Sequence, residues 1–396
     1  MSIHLMQDPG IALDQQRFTW KDLVQNPISK LDDDAFTRVR IILMNGLELD
    51  ALRLQQVLLR MMDGRARADI ASLMRAEQYQ ATTINWLLAA DHSPLETTIA
   101  YEQVAIEVTA SVAQLEADPV MAQGYRFGLL EDFDHLYRYA ALMDRLEGKD
   151  ANTILQGYTD IVPGRPTMVH HRSPESDLMT HYPDDAPLAT RLHAITLVGA
   201  EYQTHDYYMT VGPQFSDPVA RLLYAEIASV ESQHITHYGS MLNPNETPLE
   251  KLMLHQAAEV WNYQACAQQE SDARIRALWE RFLDYELGHL QVAMRLFKEV
   301  ERRDPAQVLG DGRLPPGISF SSQRAFVRQV LAAEAGLRKD GTRFVSEEDE
   351  AVSSLAYRNH MNAQGSPSQS VSTGYQWAPG TELNRDLSST TREATV

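Results

Sequence analysis

The chain has 396 residues, 44% of them hydrophobic, enough to bury a sizeable core as one large domain or as two or three smaller ones. A formal charge of −19 with no Lys/Arg run argues against nucleic acid or another polyphosphate as a partner. The single cysteine, Cys266, excludes an internal disulfide, a Cys-rich zinc site and a cysteine-ligated iron–sulfur cluster. The N-terminal stretch has neither a basic region nor an apolar core, and no segment approaches the length of a membrane span. The expectation is therefore a cytoplasmic protein with no signal peptide and no membrane partner.

Residues 1–32 read as an N-terminal arm. Helices follow at about 33–62, 64–90, 93–117 and 119–147, a first four-helix half spanning 33–148. Ser93-Pro94-Leu95-Glu96 and Thr247-Pro248-Leu249-Glu250 have the pattern of an N-cap, a Pro at the first helical position and a Glu that closes a capping box. Asp118-Pro119 and Asp217-Pro218 are the same device without the Glu. Residues 149–187, rich in Pro and turn formers, form a long crossover that packs along the helices or covers a site as a lid carrying His170, His171 and His181. A second half over 188–302 reads as helices at about 188–212, 218–242, 248–271 and 273–302. Beyond it lie a C-terminal extension, 303–363, with one helix near 321–337, and a mobile Ser/Thr/Gly/Pro-rich tail, 364–396. Strand-like alternation is nearly absent, and the fold class is all-α.

An acid-x-x-His pair occurs at Asp132–His135, Glu231–His234 and Glu286–His289. With 13 His and 54 acids in the chain, roughly two such pairs arise by chance, so the count itself says little. The register says more. Each acid lies fourteen residues beyond a helix-opening Asp, namely Asp118, Asp217 and Asp272, and a fourth copy runs from Asp63 to Glu77 but ends in Gln80. A further Glu sits on each preceding helix: Glu48, Glu102, Glu201 and Glu259. An offset of 154 carries Asp63 to Asp217, Glu77 to Glu231, Asp132 to Glu286 and His135 to His289, so the two halves read as copies. An offset of 99 carries Asp118-Pro119-Val120 to Asp217-Pro218-Val219 and His135 to His234, so each half is itself a pair of similar hairpins.

Residues at i and i+3 project from one helix face, and can offer a carboxylate oxygen and an imidazole nitrogen to one metal. A Glu from each of two helices and a Glu-x-x-His from each of two others is the ligand set of a two-metal carboxylate centre in a four-helix bundle. Such oxygen and nitrogen donors suit iron or manganese, and zinc can also bind. On Glu102, Asp132-x-x-His135, Glu201 and Glu231-x-x-His234, the sequence resembles the ferritin-like superfamily of di-iron carboxylate proteins over roughly 93–242 or more. That resemblance implies ferritin-like four-helix bundles and a di-iron oxidoreductase, an oxidase or oxygenase activating dioxygen or peroxide. It also implies a small-molecule substrate and an external electron donor. It assigns no catalytic residue.

Which hairpins share a site follows from topology. In the ferritin-like arrangement the chain travels a bundle length between the second and third helices. For a helix of about 26 residues this is about 39 Å, more than ten extended residues. Only 149–187 is long enough, which favours a primary site from Glu102, Asp132, His135, Glu201, Glu231 and His234. The same symmetry gathers Glu48, Glu77, Gln80, Glu259, Glu286 and His289 into a second, degenerate site. The competing arrangement joins the third and fourth hairpins, using Glu201, Glu231, His234, Glu259, Glu286 and His289, and fits the ligand pattern better and the loops worse.

Two departures from the family stand out. Asp132 replaces the usual Glu, which calls for a bundle shift or terminal ligation, and Glu131 beside it points about 100° away around the helix. No CxxC pair supplies a rubredoxin-type electron relay. Read singly, each Glu is an ordinary solvated helix residue. His205, His237 and His255 read as neighbours or surface residues, and Tyr101, Tyr202, Tyr207 and Tyr208 as core material. Two other functions stay open: non-catalytic metal binding or storage, and a metal-free helical scaffold. Homo-oligomerisation is compatible with each of them.

Overall fold

The computed structural model describes residues 3–375. Eight long helices carry it: α1 (Ala35–Met61), α2 (Gly64–Asn85), α3 (Pro94–Leu115), α4 (Pro119–Glu147), α5 (Leu188–Val211), α6 (Pro218–Gly239), α7 (Pro248–Gln269) and α8 (Ala273–Leu296). The last runs on as a π-helical turn, Phe297–Glu301. Their starts are chemically explicit. Ser93 with Glu96 and Thr247 with Glu250 form reciprocal capping boxes, and Asp118 and Asp272 each accept from two backbone N–H groups. Each cap satisfies donors that the first helical turn leaves unpaired, a contribution of about 1 kcal/mol apiece.

The expected boundaries hold to a few residues except at α2, which stops at Asn85 and not near 90. The next residues are diverted to hold the N-terminal arm. Leu87 gives its carbonyl to Ile28 N at 2.9 Å, and Asp91 accepts from the Ser29 hydroxyl at 2.8 Å.

Each odd-numbered helix packs on its successor, giving four hairpins in chain order. The hairpins then sort into two sets. In one, α3 packs on α5 and α4 on α6; in the other, α1 packs on α7 and α2 on α8. The contiguous halves 33–148 and 188–302 are therefore not the groups that pack: the middle two hairpins meet, and the outer two close around the chain's ends. The sets join along a seam of α1, α3, α5 and α7. At Gly46 and Gly199 the seam is tightest. A Cβ built on Gly46 would lie 2.8 Å from the Gly199 carbonyl oxygen, so this approach requires the missing side chain.

The crossover packs along the bundle. Gly164 lies so close to α4 that a Cβ would meet Leu130 O at 2.4 Å, and Arg165 N donates to that same carbonyl at 3.2 Å. Asn152–Leu155 adds a short helix, and Thr167 N donates to Asp134 at 2.6 Å.

Three C-terminal features differ from the sequence reading. The expected helix is Arg324–Glu334, pinned to α4 by Arg126–Glu334 at 2.8 Å, and a second, Val352–Met361, follows it. A small antiparallel hairpin, β1 (Arg338–Asp340) with β2 (Arg343–Val345), escaped notice because three-residue strands show no alternation. Residues 364–375 do not trail away. Pro367–Ser372 is helical, Ser368 N donates to Glu226 at 2.6 Å, and Ser368 is fully buried. Of the tail expected to be mobile, residues 376–396 lie outside the described residues. Among the described residues, no helix is long and apolar enough to cross a membrane.

Candidate metal centre

The set α3–α6 brings Glu102, Asp132, His135, Glu201, Glu231 and His234 together, each no more than 1% exposed. Their donors fall into two groups. Asp132, Glu201, Glu231 and His234 offer atoms all within 4.8 Å of one another, and so do Glu102, His135 and Glu231. Glu231 belongs to both, its Oε1 3.0 Å from His135 Nδ1 and its Oε2 3.2 Å from His234 Nδ1. His234 Nδ1 also lies 3.1 Å from Asp132 and 3.6 Å from Glu201. Asp132 belongs to one donor group, and its Oδ1 lies 3.9 Å from His135 Nδ1 of the other.

Four carboxylates in one dry site cannot all stay ionised without a compensating cation. Burial, then the neighbouring carboxylates Glu231 and Asp132, drives Glu102 well above the ordinary range. Glu201 is raised by burial and then by Asp132, and Asp132 chiefly by burial. Burial opposes ionisation of Glu231 too, but His135 and His234 outweigh it and hold this carboxyl low. Both Asp132 oxygens, Oε2 of Glu102 and Oε2 of Glu201 are buried without a hydrogen-bond partner. A buried set of acceptors with unused lone pairs fits a metal ion, and its oxygen and nitrogen composition fits iron, manganese or zinc.

The surroundings of this cluster were mostly invisible in the sequence. Glu131, which points away from the donor atoms, accepts from His234 Nε2 at 2.8 Å. It is held in turn by Arg172 Nη1 at 2.9 and 3.0 Å and by Arg165 Nη1 at 3.1 Å. Arg172, the His234 hydrogen bond and Arg165, opposing the effect of burial, keep Glu131 well below the usual carboxylate range. The arrangement engages Nε2 and turns Nδ1 toward the cluster. Both arginines come from the crossover, whose only sequence signal is the turn Pro163-Gly164-Arg165-Pro166 and the run His170-His171-Arg172. Tyr208, read as core, donates its hydroxyl to Glu102 Oε1.

Of the crossover histidines, His170 is fully buried, its ring 5.3 Å from that of His135, and its Nε2–H donates to Arg165 O at 2.7 Å. His171 faces Glu226 at 3.3 Å, while His181 is exposed. His205 pairs with Asp206, buried His237 faces Gly124 O, and His255 faces Asp50.

The second set brings Glu48, Glu77, Gln80, Glu259, Glu286 and His289 together. Glu77, Glu286 and His289 make one close donor group and Glu48, Glu77 and Glu259 another, with Glu77 common to both. His289 Nδ1 lies 3.2 Å from Glu77 and 3.1 Å from Glu286, and its Nε2 meets Gln16 of the N-terminal arm at 2.9 Å. Here amides fill the space between the acids. Gln80 Nε2 donates to Glu48 at 3.1 Å and Glu286 at 2.6 Å, and Gln256 to Glu77 at 3.0 Å and Glu259 at 2.6 Å. The α5–α8 arrangement weighed as a competitor is not the one that converges: Glu201, Glu231 and His234 lie in one cluster, and Glu259, Glu286 and His289 in the other.

Comparison with protein families, with curated proteins and with solved structures finds no match for this chain.

Proposed function

We propose that the chain is a ferritin-like di-metal carboxylate protein with an internal duplication, acting as an oxidoreductase on dioxygen or peroxide at the cluster between α3–α4 and α5–α6. The observation that carries this reading is Glu231 closing two donor groups at once, as a carboxylate shared by two ions would. The duplication is supported by Glu77, 154 residues earlier, which is likewise the shared member of the second cluster.

Asp132, Glu201 and His234 would hold one ion, Glu102 and His135 the other, with Glu231 between them. Two iron or manganese ions supply redox equivalents for reducing dioxygen or peroxide, replenished by an external donor. The chain's own residues do the rest. Glu131 orients His234 through Nε2, the Tyr208 hydroxyl engages one oxygen of Glu102 and leaves the other as a donor, and burial of all six residues excludes bulk water.

Metal analysis of protein produced with iron or manganese tests the proposal: about two ions per chain are expected, and less than a few tenths would overturn it. Metal binding without turnover is the second reading, favoured by the burial of every donor. Loaded protein that consumes neither dioxygen nor peroxide with a supplied reductant would establish it.

A further inference from the structure

At the seam between the two helix sets lies a cleft of about 290 Å³, formed by α1, α5, α6 and α7 and separate from the residues of both clusters. Its walls are aliphatic, with Leu54 from α1, Ile195 and Val198 from α5 and Ile235 from α6, and the half-exposed Val57 stands among them. Ile195 and Val198 are 6% and 5% exposed, so the lining is continuous with the core and is not a surface dimple.

Two of its polar groups stand together on α1. Asp50 accepts from His255 Nε2 at 2.9 Å through one oxygen, which leaves its other oxygen for a ligand. One turn along α1, the Arg53 guanidinium lies 4.5 Å over the Tyr202 ring, and its Nη1 has no hydrogen-bond partner. The charged lining is already paired: Arg53 through Nη2 with Asp206, Lys251 with Glu246 at 3.6 Å and Asp50 with His255. A charged ligand gains nothing net from such a wall, and its desolvation goes uncompensated. A hydroxyl both donates to a carboxylate oxygen and accepts from a guanidinium N–H, and it is the smallest neutral group that does so.

We propose that this cleft binds a neutral apolar molecule carrying one hydroxyl, a phenol or alcohol. At about 30 Å³ per water-sized group, the volume holds about ten such groups. His255 forms one wall of the cleft and places its Nδ1 3.9 Å from Glu259, so the ligand sits one side chain away from the second cluster. The inference does not rest on metal at either cluster.

The full chain titrated calorimetrically with 4-propylphenol, propylbenzene and 4-propylbenzoate tests it. The phenol should saturate one site, bind about tenfold more tightly than propylbenzene, and outcompete the benzoate. Arg53→Met should remove the preference for the phenol while leaving propylbenzene binding in place. Val57→Trp, at a half-exposed position that tolerates bulk, should block all three, with the thermal melt confirming a folded variant. A phenol that binds no better than propylbenzene, or undiminished binding in a melt-verified Val57→Trp, overturns the proposal.

Discussion

The two buried clusters use the same kinds of residue and meet the same problem, four carboxylates away from water, in different ways. Around Glu231 two imidazoles face the acids, and in both clusters four carboxylate oxygens are buried without a hydrogen-bond donor. Around Glu77 one imidazole remains, and amide N–H groups of Gln55, Gln80 and Gln256 reach into the acids. Tyr263 donates to Glu48 much as Tyr208 does to Glu102. The difference is then a matter of what balances the charge. Amides supply hydrogen bonds but no positive charge, so burial still drives Glu48 and Glu259 well above the usual range. With unpaired carboxylate oxygens in both, what separates the clusters is one imidazole: the outer one has Gln80, whose amide N–H groups point at Glu48 and Glu286, where a second nitrogen donor would stand.

The strongest way to break this comparison is to remove one imidazole from each cluster. His234→Ala should take bound metal from about two ions per chain to less than a few tenths, whereas His289→Ala should leave the stoichiometry nearly unchanged. Equal losses by elemental analysis would show that the clusters are not different in kind. Next in size is Glu131→Gln, which keeps the shape but weakens the acceptor that orients His234. Competition with a chelator should show metal affinity reduced about 10- to 100-fold, and an unchanged affinity would reduce Glu131 to an anchor for Arg165 and Arg172. Gln80→His asks the converse question. If the missing imidazole is what separates the clusters, metal per chain should rise above wild type, and a flat result would point to Gln256 and Gln55 instead. The mildest is Gly46→Ala at the seam, where the new methyl overpacks the Gly199 carbonyl. It should lower stability by about 1–3 kcal/mol in chemical denaturation, and change metal content at neither cluster more than at the other.

Much of the helical framework was readable from local chemistry, because caps such as Asp118 and Thr247 act within one turn of the residues they satisfy. The spacing from each cap to its acid placed Glu77, Asp132, Glu231 and Glu286 on inward faces. The length of 149–187 singled out the middle hairpins, one of the two pairs that pack. What stayed hidden depends on contacts between segments with no period of their own. Glu131 could not be read as buried from its own helix, since its neighbours Arg165 and Arg172 arrive from an irregular crossover. Gln16 reaches His289 from an arm with no helical pattern, and Glu226 is met by Ser366 and Ser368 in a stretch whose composition suggested mobility. The pairing of Gln80 with Glu286 likewise needed the full packing of α2 on α8.

The nesting of one hairpin pair inside the other also sets an order of assembly. Within the inner cluster, His234 and Glu131 are 103 residues apart, and every donor has been synthesised once α6 is complete. In the outer cluster, Gln80 and Glu286 are 206 residues apart, and α1 and α2, made first, must wait for α7 and α8, made last. Loop closure over such a span is slow relative to local pairing. On a ribosome the inner residues can therefore meet while the outer acids are still exposed to solvent and without the amides of Gln80 and Gln256 in place against Glu286 and Glu259.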